Sequence, residues 1–390
     1  MKILMIVGQA DPDFTVHCGI GDYAARLVRE LLRAGHAVQV LTSSRVVGSA
    51  CADAGSNPGL ASDWGIRQSF HLRRIAAHWR PDIVHLQYQP DLYQRKPWVP
   101  LYPLLVKTIR PSSIFVTTFH SIQHPSKLSP TRLYAQELLW LSDGIVVTNV
   151  HHRDQIIRPR STLSRKLVTI PVSTNIALHP ISDDRRLHLR YQLGAGRDAI
   201  ILAHFGFPRE DKGLRYVIES LADLRRQGVS AYFVHLGEVR PTDRPHVAEL
   251  TRLADQLGVS DRSRWLGILP ENEVSAYLQV ADIYVAPYDD GFSPRRTSAI
   301  VALAHGLPIV TTTGGSVQAE LDEGPAAVFV PPRDTAGLSA ALGQLAADPA
   351  WRASLGLHAR QFAAQYDWEH IRELHESFYG QLMHAVRDTS

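Results

Sequence analysis

The sequence has few cysteines, no long apolar run and almost no excess of charge of one sign. Cys18 and Cys51 are the two cysteines among 390 residues, which gives neither a disulfide framework nor a metal site and favours a reducing cytoplasm. No stretch approaches the roughly 18 apolar residues of a membrane span, and the apolar run at the N-terminus is too short for a secretory signal. The formal net charge of +3 does not indicate a nucleic-acid partner. These absences predict a cytoplasmic protein and leave peripheral membrane contact open.

What the sequence does contain is a globular composition and a repeated alternation of short apolar runs with helical patterns. Hydrophobic residues make up 45% and charged residues 20% of the chain, as in a soluble enzyme, and the length suits two or three domains of about 150 residues. Residues 3–7 form an apolar run, a helical period follows from Gly19, and residues 37–42 form the next apolar run. This order is typical of a Rossmann-like unit.

The alternation restarts in the second half of the chain. Residues 179–191 are charged and weakly periodic, whereas residues 199–205 again form an apolar run, followed by a loop and a helix. The sequence therefore predicts an α/β protein with two Rossmann-like domains, residues 1–180 and 181–370. A further helix is expected over residues 371–390.

One α/β unit near the end of the second half concentrates charge between its strand and its helix. Residues 283–286 are predicted as a buried strand, residues 297–305 as a helix and residues 309–313 as the next strand. The loop between strand and helix, residues 288–296, carries two carboxylates and two adjacent guanidinium groups. Because loops after parallel strands lie at the edge where such sheets bind ligands, we expect a binding site here.

Gly19 and Gly21 fit the loose G-x-G-x-x-A form of a dinucleotide fingerprint. In a true fingerprint the glycines follow the first strand directly, whereas here about ten residues intervene and the second strand ends without a ribose-binding acid. A dinucleotide-dependent oxidoreductase is therefore a weaker hypothesis. Two interpretations stay open: a helix start whose backbone N–H groups approach an anion, or glycines that only permit a tight turn.

A second strand-to-helix loop, residues 206–213, carries two cations. Arg209 and Lys212 stand beside a predicted helix N-terminus, where fixed positive charge would stabilise a departing diphosphate. The alternative is a solvated loop in which Glu210 and Asp211 neutralise the two cations.

Residues 205–213 read F-G-x-x-R-x-x-K-G, and this run resembles the donor-phosphate loop of family 4 glycosyltransferases of the GT-B fold. Six further segments resemble the same family in the same order along the chain. They are residues 19–42 with the Gly-rich loop and first helix, 117–121 with the active-site His, 143–149, 266–292 with the acidic motif, 306–312, and 366–371 at the start of the closing helix. The resemblance covers nearly the whole chain.

The resemblance implies two domains whose parallel sheets face a central cleft, with the closing helix crossing back to the N-terminal domain. The C-terminal domain would bind a nucleoside-diphosphate sugar and the N-terminal domain an acceptor, which is a glycan, a lipid-linked group or a small molecule. It implies transfer with retention of anomeric configuration and with neither metal nor cofactor beyond the nucleotide-sugar. A catalytically silent relative that binds a nucleotide or sugar is the alternative outside enzymes.

Carried over to the matching positions, the family's site implies residues that bind the donor and carry out the transfer. His120 would contact the donor sugar, Arg209 and Lys212 the diphosphate, and Asp290 the sugar hydroxyls; these four are the predicted catalytic residues. The predicted donor-binding set comprises Gly19, Gly21, Gly206, Arg209, Lys212, Asp290, Gly291, Phe292, Ser293, Arg295, Arg296 and Ser298. Without the family, a strand-end His such as His120 is as readily a satisfied structural residue.

The chain departs from the family in its acidic motif. Asp290 stands where the family has Glu, and Ser298 stands where a second Glu grips the nucleotide ribose, which puts ribose recognition in doubt. Arg295 and Arg296 replace aliphatic residues. Their charges could clamp a phosphate or pair with Asp289 and Asp290, and both interpretations stay open.

Three groups of residues in the first half are candidates for other contacts. His85 and Gln87 end a strand and are predicted to line the acceptor side. The aromatic and basic stretch over residues 95–107 could do the same, or form an ordinary helix with a solvated face. A looser basic cluster could touch anionic lipid headgroups or be simply solvated; it comprises Arg153, Arg158, Arg160, Arg165 and Lys166.

Overall fold

In a computed structural model, which describes residues 1–8, 19–43, 60–61, 64–121, 130–174, 176–292, 297–314 and 326–388, the chain folds into two compact units. Unit 1 comprises Met1–Ser173 and Trp368–Ser390, and unit 2 comprises Thr174–Asp367. The first boundary falls before the expected residue 180, because the backbone N–H groups of Ala177 and His179 donate to Glu271 and Ser275 of unit 2, at 2.8 and 2.9 Å.

Each unit is built on one parallel β-sheet. The strands are β1 (Lys2–Val7), β2 (Ala37–Ser43), β3 (Leu60–Ala61), β4 (Ile83–Tyr88), β5 (Ile114–Phe119), β6 (Gly144–Val147) and β7 (Leu167–Thr169) in unit 1, and β8 (Ile200–Phe205), β9 (Ala231–Leu236), β10 (Ser263–Trp265), β11 (Ile283–Ala286), β12 (Ile309–Thr312) and β13 (Ala327–Val330) in unit 2. The strand orders are β3-β2-β1-β4-β5-β6-β7 and β10-β9-β8-β11-β12-β13. Every pair of neighbouring strands is parallel.

Helices connect the strands. They are α1 (Gly19–Arg33), α2 (Arg67–His78), α3 (Tyr102–Ile109), α4 (Pro130–Leu141), α5 (Val150–Ile157), α6 (Asp183–Gln192), α7 (Leu214–Arg226), α8 (Arg244–Gln256), α9 (Glu271–Val280), α10 (Thr297–Ala304), α11 (Thr335–Ala347), α12 (Pro349–Ala363) and α13 (Trp368–Asp388). The charged, weakly periodic stretch over residues 179–191, where the domain boundary was expected, contains most of α6. That helix is held by ion pairs to residues far along the chain, such as Arg185 to Glu273 at 2.8 Å.

Alternation along the strands builds a core on both faces of each sheet, as is usual for buried parallel strands. In β1, Leu4 and Ile6 pack into one cluster of unit 1, whereas Met5 and its neighbours pack into another cluster that includes Leu27 of α1 and Tyr379 of α13. The last helix of the chain therefore belongs to unit 1 and covers the same sheet face as α1.

In both sheets the strand order reverses beside the first strand, between β1 and β4 in unit 1 and between β8 and β11 in unit 2. Such a reversal opens the loops on its two sides in opposite directions, and ligands bind there in open α/β sheets. In unit 2 the two loops concerned carry Arg209 and Lys212, after β8, and Asp290, after β11. In unit 1, His120 follows β5 at the same kind of edge.

Candidate functional site

The two charged loops of unit 2 are joined by their backbones. The Asp289 N–H donates to the carbonyl of Asp211 at 3.2 Å. Gly213 has φ +66°, and a Cβ there would lie 2.0 Å from the carbonyl oxygen of Pro287, so only glycine permits this approach. The close contact brings the predicted phosphate loop and the predicted acidic loop together at the reversal point of the sheet.

Arg209 is held by its own loop. Its Nε and Nη2 donate to the two carboxylate oxygens of Asp211 at 2.8 and 2.6 Å, and this bond raises the pKa of the guanidinium above its ordinary value. The structure thus shows the partial neutralisation that the sequence left open. The Arg209 side chain remains 51% exposed, which leaves it accessible to a ligand.

Lys212 stands where the two loops meet. Its Nζ lies 5.0 Å from the ring centre of Tyr288, a fully buried residue of the second loop. A cation over an aromatic face is stabilised electrostatically. The ammonium group of the first loop is thereby positioned by the second.

Asp289 and Phe292 hold the described part of the acidic loop. Asp289 pairs with Arg333 at 3.0 Å, an arginine that the sequence analysis did not single out. Phe292 is 1% exposed and its N–H donates to Thr312 at 3.2 Å, so its side chain anchors the loop in the core and does not face a donor. Asp290, between these two residues, is exposed, and Gly291 adopts φ +83°.

Of the remaining predicted donor-binding residues, Gly206 and Ser298 are neighbours in unit 2. A Cβ on Gly206 would lie 3.6 Å from the Ser298 hydroxyl. That hydroxyl bonds to Tyr284, whose own hydroxyl donates to the Phe205 carbonyl at 3.1 Å. Ser298 is therefore tied to a buried tyrosine. Ser293, Arg295 and Arg296 lie outside the described residues, so their predicted roles stay predictions.

Gly19 and Gly21 lie in the first turn of α1, in unit 1. The helix begins at Gly19 as the sequence predicts. Asp22 adds a carboxylate to the same turn, which satisfies the helix dipole locally.

His120 follows β5, and its ring is partly enclosed. The Nε2 atom lies 2.8 Å from Oε1 of Gln87, and the ring meets the Tyr23 ring edge-on with centres 5.3 Å apart. Burial, together with the neighbouring His375 and His152, lowers the pKa of His120 to about 3. His120 is therefore neutral at physiological pH and is suited to hydrogen bonding rather than to carrying charge.

His85 and Gln87, which we predicted to line the acceptor side, are both completely buried. They point to the sheet face that α13 covers, since they alternate with Val84 and Leu86, which pack on the opposite face. With no exposed surface they cannot line an acceptor site, and Gln87 instead contacts His120 from the interior of the unit.

The sequence analysis missed the residues that enclose His120 from α13 and α1. His375 is fully buried, with its ring centre 5.6 Å from that of His85, and Tyr379 lies one turn further along the same helix. Burial lowers the pKa of His375 to about 4. The spacing of Ile371, His375 and Tyr379 at every fourth residue was the available signal for a buried stripe.

Within the described ranges, no three His, Cys, Asp or Glu side chains are grouped so as to hold a metal ion. In the same part of the chain, no helix combines the length and the apolar character needed to cross a membrane.

Two family models match the chain. The model described as Glycosyltransferase Family 4 matches residues 18–176, and the model described as Glycosyl transferases group 1 matches residues 198–348. Together the two ranges span well over half of the chain. These matches favour a glycosyltransferase over the dinucleotide-dependent oxidoreductase that the sequence also suggested.

Curated relatives and solved structures agree with these models. The D-inositol 3-phosphate glycosyltransferase of Corynebacterium diphtheriae is 25% identical over 316 residues, which are 78% of this chain and 71% of that protein. The glycogen synthase of Mycobacterium tuberculosis is 26% identical over 318 residues, 78% of this chain and 70% of that protein. The structure of Alr3699/HepE of Anabaena in complex with UDP and glucose has a TM-score of 0.70 at 16% identity, covering 98% of this chain and 100% of that one. At such identity the structural likeness shows the fold.

Proposed function

This chain belongs to glycosyltransferase family 4 and has the GT-B fold, and from that premise we propose that it transfers a sugar from a nucleoside-diphosphate sugar to a hydroxyl-bearing acceptor. In this proposal the anomeric configuration is retained and no metal ion takes part. The residues proposed to bind the nucleotide lie in unit 2, and His120, proposed to contact the sugar, lies in unit 1.

The observation that carries the proposal is the backbone junction between the Arg209–Lys212 loop and the Asp290 loop in unit 2. It brings fixed positive charge and an exposed carboxylate to one point of the sheet edge. Positive charge stabilises a diphosphate, and a carboxylate accepts hydrogen bonds from sugar hydroxyls. One nucleotide-sugar has both of these chemical parts.

The proposed reaction is the same-face transfer that the family resemblance implies. The acceptor oxygen attacks the anomeric carbon on the face from which the diphosphate leaves, so the new glycosidic bond has the old configuration. The bond between the anomeric carbon and the diphosphate oxygen breaks with its electron pair remaining on the phosphate. The acceptor proton passes to that departing phosphate oxygen. Lys212 and Arg209 stabilise the growing negative charge, assisted by the N-terminus of α7.

We propose UDP-sugars as the first donors to test, because the Anabaena protein of the same fold is in complex with UDP and glucose. The acceptor is proposed only as a polyhydroxylated compound. The relatives named above act, by their names, on an inositol phosphate and on glycogen, which differ in size and charge but share sugar-like hydroxyl groups.

A thermal-shift panel tests donor binding. A ligand that binds the folded chain raises the melting temperature according to its affinity, so we expect one of UDP, GDP and ADP, and its sugar conjugate, to stabilise the protein more than the others. A flat response to the whole panel contradicts the proposal.

An assay of turnover distinguishes an active glycosyltransferase from a catalytically silent relative that only binds the nucleotide-sugar. Release of free nucleotide from the preferred sugar conjugate in the presence of acceptors is expected to persist in EDTA, and NMR of the product is expected to show the donor's anomeric configuration. Nucleotide binding without release would instead identify a silent relative, and loss of activity in EDTA would contradict the metal-independent part.

We also propose that the protein works in the cytoplasm and touches anionic membrane surfaces through unit 1. Trp140 is 57% exposed, and Lys166 Nζ donates to its carbonyl at 3.0 Å. Arg153, Arg158 and Arg165 are exposed nearby in sequence, and an aromatic beside cations is typical of interfacial contacts. Sedimentation with phosphatidylglycerol-containing vesicles, but not with phosphatidylcholine alone, is the expected result; equal recovery from both contradicts it.

A further inference from the structure

A hydrogen-bonded line of side chains runs beneath His120 to the last helix of unit 1. His120 Nε2 lies 2.8 Å from Gln87 Oε1, and Gln87 Nε2 lies 3.3 Å from His85 Nε2. The other ring nitrogen of His85, Nδ1, lies 2.6 Å from the hydroxyl of Tyr379 in α13. Gln87, His85 and Tyr379 are completely buried. In a dry environment each of these polar atoms needs a partner of the opposite kind.

Met5 fixes which way the Gln87 amide points. The amide atom that faces its sulfur lies 3.2 Å away, and a thioether has lone pairs but no hydrogen to donate. The amide NH2 therefore faces Met5 and His85, and the amide oxygen faces His120. Since that oxygen only accepts, His120 must donate to it through an N–H at Nε2.

The hydrogen bonds of His85 can be assigned a donor and an acceptor in the same way. Its Nε2 faces the Gln87 NH2 at 3.3 Å and the Thr118 hydroxyl at 2.7 Å, and both of these groups can donate to it. The proton of a neutral His85 is then on Nδ1, from which it donates to Tyr379. Burial lowers the pKa of His85 well below its ordinary value, so the ring is neutral and holds this arrangement.

We propose that Gln87 is a positioning residue that fixes His120 as the Nε2–H tautomer and presents its unprotonated Nδ1 as a hydrogen-bond acceptor for a hydroxyl of the donor sugar. The part that concerns the sugar rests on the proposed function, whereas the tautomer is a property of unit 1 alone. A neutral imidazole has one donor and one acceptor, so fixing one nitrogen fixes the chemistry of the other.

The surroundings of His120 add no competing carboxylate among the described residues that contact it. The titratable groups that face it are Tyr23 of α1, His152 of α5 and His375 of α13, with His85 of β4 beyond Gln87. Burial raises the pKa of Tyr23 above its ordinary value, so the phenol stays neutral. Burial, with His375 and His152, therefore keeps His120 neutral, and the contact with Gln87 decides which nitrogen carries the proton.

NMR of the full chain with 15N-labelled histidine tests the tautomer without any substrate. Couplings from the ring nitrogens to the carbon-bound ring protons distinguish Nε2–H from Nδ1–H, and the His120 signals are identified by their loss in His120→Asn. We expect the Nε2–H form in the wild type and a mixture in Gln87→Met, which keeps the volume but cannot accept. Gln68→Met, a buried glutamine of α2 that contacts His71, is the matched control and should leave the His120 signals unchanged. An Nδ1–H signal in the wild type, or an unchanged tautomer in Gln87→Met, overturns the proposal.

Gln87→Glu gives a second readout through the pH profile. A carboxylate next to His120 stabilises the imidazolium and raises its pKa, and the cation can no longer accept a hydrogen bond from the sugar. If this pKa rises above 7, kcat/KM should fall about tenfold for each pH unit below it, while the wild type stays flat. A flat profile in Gln87→Glu contradicts the role toward the sugar. Absence of sugar transfer by the wild type, with the tautomer as predicted, would count against the proposed function alone.

Discussion

The two units have the same strand order beside their reversal points but opposite chemistry there. In unit 1, His120 follows β5, the strand next to β4, and α1 and α13 enclose it; burial lowers the pKa of His120, and of His375 in α13, to about 3 and 4. In unit 2 the edge holds exposed ion pairs, such as Arg209 with Asp211. The shared sheet sets where the loops lie, whereas the depth of enclosure decides whether a group there is charged.

The two units also differ in the free energy needed to break the contacts at these loops. An exposed ion pair contributes at most about 1 kcal/mol, so Arg209 can exchange Asp211 for an incoming phosphate at little cost. The buried network of unit 1 has no such freedom, since each polar atom removed from water must keep its partner. The exposed ion pair of unit 2 can be exchanged for another partner, whereas the buried hydrogen bonds of unit 1 hold each side chain in one orientation.

The largest effect is expected for Lys212→Ala. Loss of a group that stabilises the leaving diphosphate should lower kcat by about 10²–10³-fold, measured as nucleotide release from the preferred nucleotide-sugar. Arg215→Ala is the matched control, because this arginine lies on the next turn with its side chain 65% exposed and paired to Glu219. Equal losses in both variants would remove the special role of the loop junction.

A smaller loss is expected for Arg209→Ala. A hydrogen bond to a charged group contributes about 1.5–3 kcal/mol, and Arg209 must first release Asp211, so about a tenfold loss in kcat/KM is expected. The companion Asp211→Asn removes the competing carboxylate and should tighten nucleotide binding in a titration. Weakened binding in Asp211→Asn would indicate that the pair only supports the loop.

His120→Ala should lower sugar transfer without changing nucleotide binding. A neutral hydrogen bond to the sugar contributes about 1 kcal/mol, or about fivefold in kcat/KM, while the affinity for the free nucleotide, which we propose unit 2 binds, should stay unchanged. The comparison of kinetics with nucleotide-induced thermal shifts measures this. If transfer and nucleotide affinity fall together, His120 is a structural residue.

The smallest effect concerns stability in weak acid. His375 is neutral when folded, with its pKa lowered to about 4, so below the ordinary value of 6.5 the unfolded chain binds more protons and stability falls as the pH falls. Between pH 7 and pH 6 the loss is about 0.7 kcal/mol for such a histidine, and it continues toward pH 4.

Melting temperatures at pH 7 and pH 6 measure this loss. His375→Gln should reduce the difference between the two values, and His370→Gln, an exposed histidine of the same helix, should not. The same pH dependence in all three proteins would show that His375 titrates normally.

The sequence predicted those elements whose signal is local. The strand over residues 283–286 is found with the same bounds, because its apolar run is bounded by Asp282 and by Pro287. Helix α6 was missed, since Arg190 looks like a surface residue in the sequence. In the structure it is 9% exposed and pairs with Asp282, 92 positions further along the chain.

The same limit applies to the site. The pairing of Arg209 with Asp211 was foreseen as an alternative because both residues lie in one loop. The enclosure of His85 and Gln87 was not, because His375 and Tyr379, which contact His85, come almost 300 residues later. A strand end looks open in a sequence when the helix that covers it is distant.

The position of α13 has a consequence for how the chain is synthesised. The strands described in unit 1 leave the ribosome before any of unit 2, yet the helix that covers one face of their sheet is made only after unit 2. At about 5–20 residues per second, synthesis from the end of β7 to the start of α13 takes about 10–40 s, and Ile3, Met5 and Val7 lack that cover throughout this time. Unit 2 is free to finish folding in this interval, so the domain begun first is completed second. A chain that stops short of α13 keeps this face open to chaperones and proteases.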